Sequence, residues 1–264
     1  MTDSLQISRN GHVARIALAR PDLHNAFDDL LIADLTAALA AIGADRDVRA
    51  VVLTGNGASF SAGADIQWMR RMAQASEADN QADSERLATL MRTLNFLPQP
   101  TIARVNGAAF GGGVGLVACC DIAVAADGAK FALSEVKLGL VPAVISPYVV
   151  AAIGLREARR LFLTGETIDA ADAWRIGLVH HVVAAADLDA TVDRQLDLLA
   201  KGGPQAQREA KRLALAMGGM NPERAVAVDR ENAALIARLR VSAEGQAGLG
   251  AFLDKRAASW VGSS

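Results

Sequence analysis

Three features of this 264-residue chain predict an α/β fold. Short, almost continuously apolar runs at 13–18, 50–54, 101–105 and 122–126 have the composition of strands covered on both faces. Helical patterns lie between and after them, as the alternation of an α/β protein requires. The chain is also rich in alanine and glycine, with aromatics at only 4%, which suits helices packed closely on a buried sheet.

The elements follow in order. The strand at 13–18 ends at Arg20-Pro21. Leu31, Leu35, Leu39 and Ile42 share one face of a helix over 28–44, with Asp28 or Asp29 near its start. The strand at 50–54 is stopped by Gly55-Asn56-Gly57. A polar, alanine-rich stretch over 67–97 reads as one helix, ended by Pro98 and Pro100. The strand at 101–105 runs into a glycine-rich turn. Residues 138–155 carry no charge, but Pro142 and Pro147 interrupt them and Gly139, Ser146 and Gly154 dilute them, so they read as a buried wall followed by a helix rather than a membrane span. From Leu188 the pattern is helical, with Leu188, Val192, Leu196 and Leu199 on one face. Lys201-Gly202-Gly203-Pro204 breaks it, and helices are predicted over 205–217, 222–239 and 243–256. This divides the chain into a core, 1–203, and a helical C-terminal region, 204–264.

Bulk properties exclude several classes. A net charge of -2 without a Lys/Arg cluster argues against a nucleic-acid surface. A hydrophobic content of 52% suggests apolar surface hidden by self-association. The only cysteines, Cys119 and Cys120, are adjacent and read as core residues of a reducing compartment. Residues 1–9 lack a signal-peptide core, so a soluble, cytoplasmic protein without a membrane partner is expected. His12, His24, His180 and His181 show no metal-ligand spacing, and no metal site is expected.

Two glycine-rich loops carry the chemistry. Phe60-Ser61-Ala62-Gly63-Ala64-Asp65-Ile66 and Gly111-Gly112-Gly113 each follow a buried strand. Each can offer a backbone N–H, and together they can hold one oxygen, aided by the N-terminal dipole of the helix after Gly113. Alternatively the glycines only permit tight turns. The spacing of Gly111, Gly113 and Gly115 does not complete a dinucleotide fingerprint, no Lys-Ser or Lys-Thr completes a phosphate loop, and no serine sits in a nucleophile elbow. Glu135 is a candidate proton-transfer group, or else a surface partner of Lys130 or Lys137. Gly115, inside the helix after the glycine turn, can transfer nothing.

These pieces, Arg20-Pro21-x3-Asn25-Ala26, Ser61-Ala-Gly-Ala-Asp65, Asn106-Gly-x3-Gly-Gly-Gly-x-Gly, Asp121, Phe131-x3-Glu135, Gly139-Leu-Val-Pro142 and Glu244-Gly245-x5-Ala251-Phe252-x2-Lys255-Arg256, resemble in order and spacing the enoyl-CoA hydratase/isomerase (crotonase) superfamily over nearly the whole chain. The resemblance implies a spiral of β-β-α units, a helical C-terminal region that forms trimers or dimers of trimers, and an acyl-CoA thioester substrate, with coenzyme A entering only as part of it and no permanent cofactor. It places Ala64 and Gly112 as oxyanion donors. It places Ala62, Gly63, Asp65, Ile66, Gly111, Pro142 and Lys255 as substrate or CoA contacts, with Lys255 often acting on a neighbouring subunit.

Hydratases of this family use two glutamates around one water. Glu135 matches one, and Gly115 stands where the other is expected. A single glutamate is also what the family's Δ3,Δ2-enoyl-CoA isomerases use, and a lost acid also fits a non-catalytic acyl-CoA binder. Against those alternatives, Val141-Pro142-Ala143-Val144-Ile145-Ser146-Pro147-Tyr148 resembles bacterial 3-methylglutaconyl-CoA hydratases of leucine degradation and the related hydratase of acyclic terpene breakdown. Hydration of such a branched enoyl-CoA is therefore the expected reaction. Gly115 is expected to leave room for the β-methyl and distal carboxylate of that substrate, and Arg70, Arg71 and Lys137 are candidate cations for the carboxylate.

Overall fold

The computed structural model describes residues 4–262. The chain opens with a hairpin, β1 (Leu5–Asn10) antiparallel to β2 (Val13–Leu18), followed by helix α1 (Asp29–Ala44). The Asp28 carboxylate caps α1 by accepting from Leu31 N–H at 2.8 Å. Strands β3 (Ala50–Gly55) and β4 (Ser59–Ser61) lead to α2 (Ile66–Gln74) and α3 (Glu77–Asn95). Then come β5 (Thr101–Val105), β6 (Ala108–Phe110) and α4 (Gly112–Cys119), followed by β7 (Ile122–Ala126), β8 (Lys130–Ala132), a 3-10 turn at Glu135–Leu138 and α5 (Ser146–Thr164). Three successive β-β-α units thus send their first strands to one sheet and their second strands to another. The chain continues through β9 (Thr167–Asp169), α6 (Ala170–Arg175), β10 (His181–Val183), α7 (Leu188–Ala200), α8 (Pro204–Met217), α9 (Pro222–Val241) and α10 (Ala243–Leu253).

The larger sheet has the order β1-β2-β3-β5-β7-β10 and is parallel from β2 onward; the smaller has the order β4-β6-β8-β9. The two-residue period explains why the larger sheet's strands are apolar throughout. Val51, Leu53, Ala103 and Val105 join the main core with α1, α3 and α4, while Val52, Ile102 and Val124 turn to the other face and meet Leu188 and Val192 of α7.

Four expectations are corrected. The stretch 67–97 is two helices, because the chain breaks at Ala75 and Ser76 caps α3 by accepting from Asp79 N–H at 3.1 Å. β1 was not anticipated, because five of its six residues are exposed and it lacks an apolar face. The three-residue strands β4, β6, β8, β9 and β10 are too short for periodicity to register. The last helix stops at Leu253, short of 256, and Lys255 adopts a left-handed φ of 54° beyond it.

The other helices and strands for which a span was predicted match it within a few residues. Cys119 and Cys120 are free and buried, and burial pushes both thiols up, Cys120 to about 12, so neither is a thiolate nucleophile. No described helix is long and apolar enough to cross a membrane. Helix α8 has no buried residue. It is tied down instead by Lys211, whose Nζ lies 2.8 Å from the Asp121 carboxylate, which also accepts from Thr101 N–H and its hydroxyl.

Candidate active site

The ends of β4 and β6 bring the two glycine-rich loops together. The first is held by the chain from Arg20 to Phe27. Ala62 N–H donates to His24 C=O, Phe27 N–H to Gly63 C=O at 2.6 Å, and Asp65 N–H to Phe27 C=O at 2.7 Å. Asn25, fully buried, donates its amide to the carbonyls of Asn56 and Ser59. Asp65 is committed to the fold: it caps α2 by accepting from Gln67 and Trp68 N–H and pairs with Arg20 at 3.1 Å. Arg20 also pairs with Asp28 at 3.0 Å.

Glycine is required at two points. Gly63 has φ +85°, and a Cβ there would lie 2.9 Å from Phe110 C=O, so the loops abut. Gly111, with φ +48°, precedes α4, and a Cβ there would stand 3.1 Å from Glu135 Oε1. The hydrogen bonds of these loops bypass two amides. Among the described residues, neither Ala64 N–H nor Gly112 N–H finds an acceptor, and both residues line one cleft. The Gly112 amide also opens the first turn of α4, where the dipole favours negative charge.

The cleft encloses about 290 Å3. Its walls are mostly apolar, including Phe27, Trp68, Met72, Leu87, Val144 and Ile236, and Glu135 sits among them. Glu135 keeps part of its surface open to the cleft, yet its Oε2 is shut away from solvent without a hydrogen-bond partner. Desolvation pushes its pKa up from 4.5 to about 7, opposed by a smaller contribution from its own backbone N–H. Among the described residues no cation pairs with it, so the alternative of a surface ion pair with Lys130 or Lys137 is not realised. An orphaned carboxyl oxygen in an apolar cleft, with a pKa near neutrality, is poised to take and return a proton.

Gly115 overturns a further expectation. It lies in the fourth position of α4 and is buried, and it does not line the cleft. A Cβ there would overlap Ile145 Cγ2, lie 3.0 Å from Ile145 Cβ and reach Met91 Cε at 3.3 Å. Glycine therefore leaves no room for a substrate methyl or carboxylate. Ile145, itself on the cleft wall, fills the space beside it.

The other predicted contacts divide. Ala62, Gly63, Gly111 and Pro142 line the cleft, whereas Asp65, Ile66 and Lys255 do not, the last two being exposed. Arg71 pairs with Asp29 at 2.6 Å, Arg70 is exposed, and Lys137 lines the cleft. Sequence reasoning missed Ile145 and Arg240. Arg240 reaches the cleft from α9, far along the chain, and no local pattern marks it. Among the described residues no group of three or more His, Cys, Asp or Glu side chains is placed to hold a metal ion.

Two free backbone amides beside one recessed carboxylic acid form an arrangement able to steady an oxyanion and move a proton, as acid–base enzymes do. Residues 8–263 match the family model described as enoyl-CoA hydratase/isomerase, and the chain belongs to that family. It is 44% identical to an enoyl-CoA hydratase from Shewanella pealeana of known crystal structure, with a TM-score of 0.80 over 97% of this chain and 96% of that one. The crystal structure of an enoyl-CoA hydratase from Mycobacterium avium is similar with a TM-score of 0.86 and 35% identity, over 99% of this chain and 100% of that one. An enoyl-CoA hydratase of Alternaria alternata is 35% identical over 211 residues, 79% of this chain and 68% of that protein.

Proposed function

We propose that this enzyme adds water across the double bond of a 2-enoyl-CoA, with Glu135 as the only proton-transferring side chain. The observation that carries the reading is the partnerless Oε2 of Glu135 in a cleft that also holds two free amides. The thioester oxygen accepts from Ala64 and Gly112 N–H. The Glu135 carboxylate takes a proton from water as the water oxygen bonds to Cβ, and the double-bond electrons move onto the thioester as an enolate. The two amides hold that charge. Glu135 then returns its proton to Cα, which restores the carboxylate and completes the addition.

The wording of residues 141–148 supports a branched, 3-methylglutaconyl-type substrate, as in leucine degradation. Isomerisation of a 3-enoyl-CoA is the second reading, favoured by Ile145, which fills the space beside Gly115 and leaves no second carboxylate there. Assembly into trimers or dimers of trimers is supported by α8, whose Leu213 and Met217 are 59% and 78% exposed. In such an assembly Lys255, outside this chain's own cleft, becomes available to coenzyme A bound at a neighbouring one.

One assay tests the reading. Purified enzyme is offered a 2-enoyl-CoA and a 3-enoyl-CoA while the conjugated-thioester absorbance is followed. Loss of absorbance with the first supports hydration, and a gain with the second supports isomerisation. Binding of both esters without change would leave a non-catalytic acyl-CoA carrier. Glu135→Gln should remove the activity, and unchanged turnover would take Glu135 out of the mechanism.

A further inference from the structure

The cleft contains a second charged group that proton transfer does not use. Arg240, near the end of α9, lines the cleft with its side chain only 15% exposed. One edge of its guanidinium is engaged: Nη1 donates to Asn80 Oδ1 at 3.2 Å and to Ser84 Oγ at 3.4 Å, and lies 3.5 Å from Asp83 Oδ2. Its Cζ sits over the Trp68 ring, 5.8 Å from the centroid. The other edge is free. Among the described residues neither Nε nor Nη2 donates a hydrogen bond, and neither is among the sealed, partnerless buried atoms. Nε and Nη2 together form the face that grips a carboxylate with two parallel bonds.

The local charge is also incomplete. Asp83 is nearly fully buried, and it is shared: its Oδ1 accepts from Trp68 Nε1 at 3.2 Å and from Arg86 Nη2 at 3.0 Å. Two guanidinium groups therefore divide one carboxylate; Arg86 is open to solvent, whereas Arg240 lines the cleft. Burial pulls the Arg240 pKa below its ordinary value, with Asp83 opposing. Arg240 lies in the same apolar cleft as Glu135 and the free amides of Ala64 and Gly112, where the acyl-thioester reading puts the acyl chain, so the anion that meets its free edge there is one the acyl chain carries. Lys137, the other cation on the wall, is exposed and has the weaker claim.

We infer that Arg240 is the specificity residue for an acyl-CoA whose chain ends in a carboxylate, which it holds through the Nε and Nη2 edge. The inference rests on reading the cleft as an acyl-thioester site, and the test separates the two. Affinities of the full-length enzyme for glutaryl-CoA and butyryl-CoA, saturated esters that cannot react, are measured by calorimetry for the native chain, Arg240→Met and Arg240→Lys. The native chain should bind glutaryl-CoA at least tenfold more tightly, Arg240→Met should bring the ratio close to one, and Arg240→Lys should keep part of it. Equal affinities in the native chain, or a preference that survives Arg240→Met, would overturn the inference. A loss shared equally by both esters would do the same, since it would place Arg240 on the coenzyme A portion. If Arg240→Met does not fold, an unchanged preference in Arg240→Lys overturns it and a reduced one supports it. Hydration of a neutral 2-enoyl-CoA by an enzyme that binds both esters equally would sink this inference alone, whereas binding of neither ester would remove the acyl-thioester reading as well.

Discussion

Replacing Glu135 by glutamine removes a group that the folded state holds at a cost. The carboxyl titrates at 4.5 in an ordinary setting and at about 7 in the cleft, and desolvation is the main cause. At about 1.36 kcal/mol per pH unit, this difference makes the ionised side chain on the order of 3 kcal/mol unfavourable to folding. The sign follows from which state releases its proton first. At acid pH both folded and unfolded chains are protonated there, and no penalty applies. As pH rises from 4.5 toward 7 the unfolded chain ionises while the folded one keeps its proton, so stability falls; above about 7 the penalty is complete. Glutamine carries no charge at any pH, and the cost of burying its amide is constant. The stability difference between Glu135→Gln and the native chain should therefore move in the variant's favour by up to about 3 kcal/mol between about pH 4.5 and about pH 8. Urea unfolding followed by tryptophan fluorescence, at one fixed protein concentration, measures it. A difference that does not change with pH would refute the claim that the cleft strains this carboxylate, even if the variant were inactive.

Three further outcomes are expected. Because the carboxylate is the form that accepts the proton from water, kcat/KM should fall about tenfold per pH unit below about 7, and a flat profile through that region would exclude Glu135 as the base. Gly115→Ala should cost about 1–3 kcal/mol through overlap with Ile145, and Ile145→Ala in the same chain should return part of it; a double-mutant cycle with coupling below about 0.5 kcal/mol would mean the two sites do not touch. Asp65→Ala should destabilise by about 2–4 kcal/mol, since it removes the cap of α2 and a buried partner of Arg20, whereas Asp65→Asn should lose less because an asparagine still caps; equal losses in thermal unfolding would assign the whole effect to the ion pair.

The parts of the fold written in local patterns were legible. Thr101–Val105 and Ile122–Ala126 are apolar because both faces of their sheet are covered, and their bounds match the reading exactly as the structure draws them. The break between α2 and α3 was also written, in Ser76 and Asp79, but it was hidden by the polar character of the whole stretch. The short strands of the smaller sheet carry too few residues to show a period. Within the site, the glycine loops and Glu135 could be placed because each depends on its neighbours in sequence. Ile145 and Arg240 could not. Their roles arise only when α5 packs on α4 and α9 lies along α3, contacts between residues far apart in the chain. For the same reason Gly115 was misjudged: its packing partner is thirty residues away, and a missing side chain looked like space.

The two free amides at Ala64 and Gly112 have a consequence for how this enzyme can change. They belong to the main chain, so among coded residues only proline deletes such an N–H, and it also fixes φ and crowds the loop; every other substitution can only tilt or crowd the amide. On the proposed mechanism the electrophilic half of the site is then inherited with the fold, and wall residues such as Ile145 and Arg240 are the positions at which a new acyl group would be admitted without rebuilding the chemistry. Removing an amide hydrogen without proline's change of backbone shape would require chemical synthesis, with an ester in place of one peptide bond. That exchange would probe the charge held there while leaving every side chain in the cleft as it is.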